Sequence, residues 1–168
     1  MQRLWSPWRL PYVTGATGPQ GCIFCSAVSD SEKAPLVVFR GSASFVILNR
    51  FPYNNGHVMI APHRHVATMA ALRRDELTEL MVLTQHAEIA LGDAYHPDGM
   101  NVGINLGRTA GAGIVDHVHL HVVPRWSGDT NFMTVVGEVR VLPETLEATA
   151  ARLRPIFERL ARESSGAS

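Results

Sequence analysis

Residues 117 to 123 read His117-Val118-His119-Leu120-His121-Val122-Val123, three histidines at strict two-residue spacing with only aliphatic residues between them. A period of two is that of a β-strand, in which successive side chains leave opposite faces. Such a strand places His117, His119 and His121 on one face and Val118, Leu120 and Val122 on the other, so it commits the chain to a sheet with one side against a core. A half-exposed strand that merely carries histidine on its polar face is the plain alternative. Histidine fills a strand no better than threonine or valine, so three in step point instead to proton transfer, metal binding or anion contact near neutral pH.

The surrounding pattern supplies the rest of the sheet. The sequence predicts short strands over Leu36 to Phe39 and Phe45 to Leu48, joined through Gly41, and a third over His57 to Ala61 after the turn Pro52-Tyr53-Asn54-Asn55-Gly56. Asn101 to Asn105 reads as a strand, Gly107 to Gly113 as a loop, and His117 to Val123 as the strand that answers it, stopped by Pro124. Between Asp75 and Tyr95 the residues Leu77, Leu80, Met81, Ala87 and Leu91 recur at helical spacing behind an acidic first turn. This is the long central helix. His86 falls opposite Leu77 and reads as a surface residue; His57 reads as a strand residue, and His63 and His96 have no assigned role. A C-terminal helix is predicted from Pro143 to Arg162, with Leu146, Ala150, Leu153, Phe157 and Leu160 on one side and a kink at Pro155. Strands and helices do not alternate regularly, so the class is α+β with a mainly antiparallel sheet. Residues 22–162 form one domain, preceded at 1–21 by an arm carrying Trp5, Trp8 and Tyr12 among prolines and glycines, and followed by a mobile tail from Glu163 to Ser168.

Fifteen basic residues balance fifteen acidic ones, so no global field draws the protein to nucleic acid or an anionic membrane, and an anionic ligand must be held locally. No apolar run approaches the ~20 residues of a membrane span and the first residues lack a signal-peptide core, which predicts a cytoplasmic protein. The only cysteines form Cys22-Ile23-Phe24-Cys25, which in a reducing compartment reads as half a zinc site or a redox pair before a disulfide.

The loop before the triad carries Gly107, Gly111 and Gly113. Glycines permit the concave arrangement of backbone N–H groups that binds phosphate, and an anion held there lies beside the histidines. A neutral imidazole attacks phosphorus when one ring nitrogen is free and the other donates its proton to a fixed acceptor. Neighbouring imidazoles then serve the phosphoryl oxygens and the leaving group. Spacing alone does not say which histidine attacks.

With Asn49-Arg50-Phe51-Pro52, Gly56-His57-Val58-Met59-Ile60-Ala61-Pro62, Asn105 and the full triad, the chain resembles the histidine triad superfamily of nucleotidyl hydrolases and transferases over roughly residues 22 to 126. The resemblance implies a five-stranded antiparallel sheet with helices, usually dimerised, and His119 as the covalent nucleotidyl carrier with His117 and His121 assisting at the phosphate. It implies that Asn49 contacts ribose and Asn105 the α-phosphate region, beside Gly111 and Gly113 of the phosphate loop. It also implies a structural zinc held by Cys22, Cys25, His65 and His117, and no organic cofactor. Family members commonly carry Gly-Gln-Ser or Gly-Gln-Thr where this chain has Ala112-Gly113-Ile114. With Pro124-Arg125-Trp126 after the triad, the chain is most similar to the bacterial branch that includes diadenosine tetraphosphate phosphorylases. The expected partners are an adenine nucleotide or dinucleoside polyphosphate, inorganic phosphate and a second copy of the chain, and the expected reaction is phosphorolysis to ATP and ADP. Hydrolysis of dinucleoside polyphosphates or nucleoside phosphoramidates is the alternative within the family. Outside it stand a non-catalytic nucleotide-binding protein and a hydrolase using the three histidines as zinc ligands. The last lacks a supporting carboxylate, because Asp116 falls on the opposite face of the predicted strand.

Overall fold

The computed structural model describes residues 21–29, 34–129 and 143–166, so the predicted aromatic arm, apart from Gly21, lies outside the described residues. Five antiparallel strands form one sheet: β1 (Val37–Arg40), β2 (Ser44–Leu48), β3 (Val58–Pro62), β4 (Gly99–Ile104) and β5 (Leu120–Arg125), in the spatial order β1-β2-β3-β5-β4. The first three make the predicted meander, with Phe45 opposite Ala61 and Ile47 opposite Met59. The triad strand then inserts between β3 and β4, with His121 facing Met59 on one side and Gly103 on the other.

The largest difference from the predicted boundaries is in β5. Ladder pairing with β3 begins only at Leu120, because Val118 N–H donates at 2.7 Å to the carbonyl of Val66 in the loop beyond β3. Of the three histidines, His121 alone lies within a strand. Pro124 does not stop that strand either: it pairs with Met100, beyond Val122 where pairing with β3 has ended, so its missing N–H costs no ladder bond on that side.

Three helices complete the layers: α1 (Ile23–Ser29), α2 (Arg74–Tyr95) and α3 (Leu146–Gly166). The alternation of each strand separates two apolar clusters. Val46, Leu48, Val58, Ile60, Leu120 and Val122 face α2 and α3, meeting Leu80, Leu83, Ala87, Leu91, Leu153 and Phe157. Each large apolar side chain buried this way contributes roughly 1.5–3 kcal/mol. The buried stripe of α2 is Leu80, Leu83, Thr84, Ala87, Ala90 and Leu91, one step round from the predicted one, so Leu77 and Met81 are 38% and 51% exposed. The same rotation turns His86 inward, contrary to its expected surface position: it is buried, with its Nε2 3.1 Å from Ser164 Oγ on α3. That helix contains Pro155 and runs on to Gly166, past the predicted end at Arg162.

On the other face, α1 seats Phe24 and Ala27 on Val37, Phe45, Ile47, Met59 and Ala61 of β1 to β3. This helix was not predicted; seven residues that begin inside the cysteine pair and run past it carry too little periodicity to register. Seven residues reach from β1 to β3 and onto the His117–His119 segment, and the same face of β5 and β4 beyond is left as an open cleft.

Candidate active site and metal cluster

The carboxyl end of β3, the loop beyond it and the approach to β5 meet under α1, and this junction gathers most of the predicted residues. His119 is 2% exposed and packs against Phe24, with ring centroids 4.8 Å apart. Its Nδ1 lies 2.8 Å from the carbonyl oxygen of His117. A carbonyl only accepts, so Nδ1 carries the proton and Nε2 keeps its lone pair. Burial pushes the His119 pKa down, against the smaller opposing effect of the carbonyl bond. The ring is therefore held neutral and oriented, the form in which an imidazole can attack phosphorus.

His121 stands beside it, centroids 4.9 Å apart, and lines the cleft. Its Nδ1 is 3.0 Å from Nε2 of His57, whose own Nδ1 accepts the Tyr53 N–H at 3.1 Å. The directions follow in order. Because His57 Nδ1 accepts, the neutral ring protonates Nε2 and donates to His121, which leaves the His121 proton on Nε2. His57 is 1% exposed and immediately precedes β3. Read from the sequence as a strand residue, it is instead the partner that sets the tautomer of His121. The register of β3 against the triad strand was the signal that would have found it.

His117 is fully buried, and both ring nitrogens are engaged. Nε2 donates to the Pro62 carbonyl at 2.9 Å, and Nδ1 lies 3.3 Å from Cys22 Sγ and 3.7 Å from Cys25 Sγ. It was expected at the phosphate; what it extends toward His119 is its main-chain carbonyl. Cys25 Sγ is 3.2 Å from His65 Nδ1, and the four candidate ligand atoms of Cys22, Cys25, His65 and His117 all lie within 4.8 Å of one another. Zn–S bonds of about 2.3 Å and Zn–N bonds of about 2.0–2.1 Å in a tetrahedron put S and N about 3.6 Å apart, which these distances match. The Pro62 carbonyl acts as the outer partner that fixes which His117 nitrogen faces the cluster. The cysteines are not disulfide-bonded, and burial followed by the neighbouring Cys22 pushes the Cys25 thiol up. A redox-active cysteine requires the reverse. Arg64, next to His65, is clamped by Glu76 on α2 at 2.9 and 2.6 Å.

The cleft beyond His121 has a volume of about 440 Å³ and is lined by Tyr53, Asn54, Asn101, Val102, Gly103, Asn105, His121, Val123, Arg125 and Asp129. Asn105, expected at the α-phosphate region, lies on this wall. Asn49 is not on this wall: its Oδ1 accepts the Phe51 N–H at 2.9 Å and its Nδ2 lies 3.4 Å from His57 Nδ1. The glycine loop also differs from expectation. It forms a short 3-10 turn, Arg108–Ala110, in which Gly111 N–H donates to Arg108 and Ala112 N–H to Gly107, so those two groups do not point at a ligand. Gly111 closes the turn at φ +90°, a left-handed conformation that favours glycine, and neither it nor Gly113 lines the cleft. Asp116 is exposed on the loop before the triad.

The profile of the HIT domain family matches residues 30–128, and the chain belongs to that family. Within it, the chain is similar to the AP-4-A phosphorylase of Mycobacterium tuberculosis, 40% identical over 157 residues that cover 89% of this chain and 80% of that protein. The bis(5'-adenosyl)-triphosphatase of Dictyostelium discoideum is 30% identical over 128 residues, covering 73% of this chain and 85% of that protein. Among solved structures, a Zn-bound histidine triad family protein from Mycobacterium smegmatis superposes with a TM-score of 0.68 at 28% identity, covering 87% of this chain and 99% of the other. No helix among the described residues is long and apolar enough to cross a membrane.

Proposed function

We propose that this protein cleaves dinucleoside polyphosphates, diadenosine tetraphosphate in particular, through a nucleotidyl-His119 intermediate that inorganic phosphate resolves. The observation that carries the reading is the His119 tautomer: Nδ1 is tied to the His117 carbonyl, so the Nε2 lone pair is the one available to attack. His119 Nε2 forms a bond to the α-phosphorus as the bond to the bridging oxygen breaks. ATP departs as its anion, and His121 donates a hydrogen bond from Nε2 to the leaving oxygen. Phosphate oxygen then attacks the phosphorus, the P–N bond breaks, and ADP is released. Asn105 serves the phosphates from the cleft wall, and His117 positions His119 through its carbonyl.

Cys22, Cys25, His65 and His117 would hold a structural zinc, which when bound supplies a cross-link between α1, the loop after β3 and the triad segment. The exposed edge strand β4, with Val102 52% exposed, is the surface on which a second copy would pair. We place the enzyme in the cytoplasm.

Similarity to the Mycobacterium tuberculosis phosphorylase supports phosphate as acceptor; similarity to the Dictyostelium triphosphatase supports water as the second reading. Product analysis on diadenosine tetraphosphate decides between them. Phosphorolysis gives ATP and ADP at a rate that saturates with phosphate, and His119→Asn abolishes it while nucleotide binding persists. If AMP dominates at millimolar phosphate, water is the acceptor.

A further inference from the structure

The far wall of the cleft carries a charged group that the chemistry at His119 and His121 does not use. Arg125 sits four residues beyond His121 on the same face of β5, so about 13 Å separates their Cα atoms at 3.3–3.4 Å per residue. Its guanidinium is held in one plane. Nε and Nη2 donate to the two oxygens of Asp129 at 2.6 and 2.9 Å, and Nη1 donates to Asn101 Oδ1 at 2.8 Å. Three of the five N–H groups are engaged among the described residues, which leaves two for a ligand.

Of the paired charges, the Arg125 cation is the one that faces the solvent side of the cleft. The Asp129 carboxylate also accepts from Asn54 Nδ2 and Trp126 N–H, and its side chain is 12% exposed against 45% for Arg125. The hydrogen bond from Arg125, reinforced by that from Asn54, holds the carboxyl far below the usual carboxylate range, so the brace stays ionised throughout the working pH range. Asn101 gains an orientation from the same contact. With Oδ1 accepting from Arg125, its amide N–H groups are directed away from that contact, on a side chain that lines the cleft. A braced guanidinium beside an amide donor is a phosphate-recognition pair.

We infer that Arg125 and Asn101 bind the phosphate chain of the departing nucleotide, so that the enzyme selects its substrate by the charge and length of the leaving group. This rests on the reading of His119 as nucleophile and His121 as hydrogen-bond donor to the leaving oxygen. The gap between His121 and Arg125 suits an extended chain of phosphates; a single departing amine does not span it. The recognised class is therefore a nucleotide joined by an anhydride bond to a polyphosphate of several units, with the adenylyl half at His119 and the remainder along β5.

The test compares two adenylyl donors that differ only in what leaves: diadenosine tetraphosphate and adenosine 5'-phosphoramidate. The ratio of their kcat/KM values should fall at least tenfold in Arg125→Met, mainly through KM for the tetraphosphate, and recover in part in Arg125→Lys, which keeps the charge without the fork. The parent's preference should weaken with added salt more than the variant's. Asn101→Asp, which sets a carboxylate against the incoming phosphates, should lower the same ratio and serves if Arg125→Met does not fold. A ratio within twofold of the parent in Arg125→Met, or in Asn101→Asp if the former is unfolded, overturns the inference and leaves Arg125 as a brace for the end of β5. A parent enzyme that cleaves neither donor refutes the underlying reading of the histidines, and with it this one.

Discussion

His57→Phe isolates the tautomer relay from the chemistry it serves. Phenylalanine keeps a ring of similar size in the buried position before β3 but removes the donor that lies 3.0 Å from His121 Nδ1. Without that donor, the His121 proton is no longer biased toward Nε2. A hydrogen bond between neutral groups contributes about 1 kcal/mol, and at 1.4 kcal/mol per tenfold the productive tautomer loses about fivefold in relative population. The productive fraction therefore falls from roughly five-sixths to roughly one-half, and turnover of diadenosine tetraphosphate should fall about twofold. Deleting the donor itself in His121→Ala should cost about a hundred- to a thousand-fold. The discriminating assay replaces the leaving nucleotide with 4-nitrophenolate, whose charge is spread over its ring so that its oxygen accepts a hydrogen bond weakly: the His57→Phe penalty should shrink to near unity and the His121→Ala penalty should fall with it. Loss of the acceptor for Tyr53 N–H lowers stability in the variant, so rates are compared well below its melting temperature. Equal slowing on both leaving groups would refute the relay and assign His57 to packing alone.

The metal cluster and its scaffold give two further outcomes. Cys22→Ser should abolish stoichiometric zinc, measured by elemental analysis of protein grown in metal-replete medium, and lower the melting temperature more than it slows single-turnover chemistry; a zinc-free parent refutes the site. Glu76→Gln should cost about 2–3 kcal/mol at pH 7, since the carboxylate is 1% exposed and accepts from Arg64 and from the Arg73 N–H. The hydrogen bond from Arg64 holds the Glu76 pKa down to about 2 from 4.5 against the effect of burial, so this stability is complete above about pH 4.5 and is lost as pH falls toward 2. Urea titrations should show parent and variant converging over that interval, and a gap independent of pH would exclude the assignment.

The sheet was legible because polar and apolar residues alternate in the triad segment, with Val118, Leu120 and Val122 on the side of the helical core, although His117 and His119 are buried on the other side as well. The register that joins β3 to β5 was not, since Met59 opposite His121 is a tertiary choice made between segments with the whole of α2 and β4 between them. That choice is what gives His57 its role, so the residue most easily overlooked was the one whose meaning is purely spatial. The stripe on α2 went one step wrong at Leu77 and Met81 because apolar residues occupy both sides of that helix, and only the placement of α3 decides which side is core. Arg125 and Asp129, four residues apart after the triad, carried no periodic signal; their meaning comes from Asn54 and Asn101 arriving from elsewhere. The cysteine pair was legible as half a cluster, and its completion by His65 and His117 came from resemblance and not from spacing.

The sheet order has a consequence for when activity arises during folding. The meander of β1, β2 and β3 and the hairpin of β4 and β5 each close on neighbours near in sequence, whereas the β3 to β5 seam joins the two pieces late, at the entropic cost of a long loop. His57, Pro62 and His65 belong to one piece; His117, His119 and His121 belong to the other. Neither piece holds a tautomer relay or a complete metal cluster by itself. Catalysis therefore reports the docking of two halves, and in refolding it should return in step with closure of that seam, after the helical signal of α2 has already recovered.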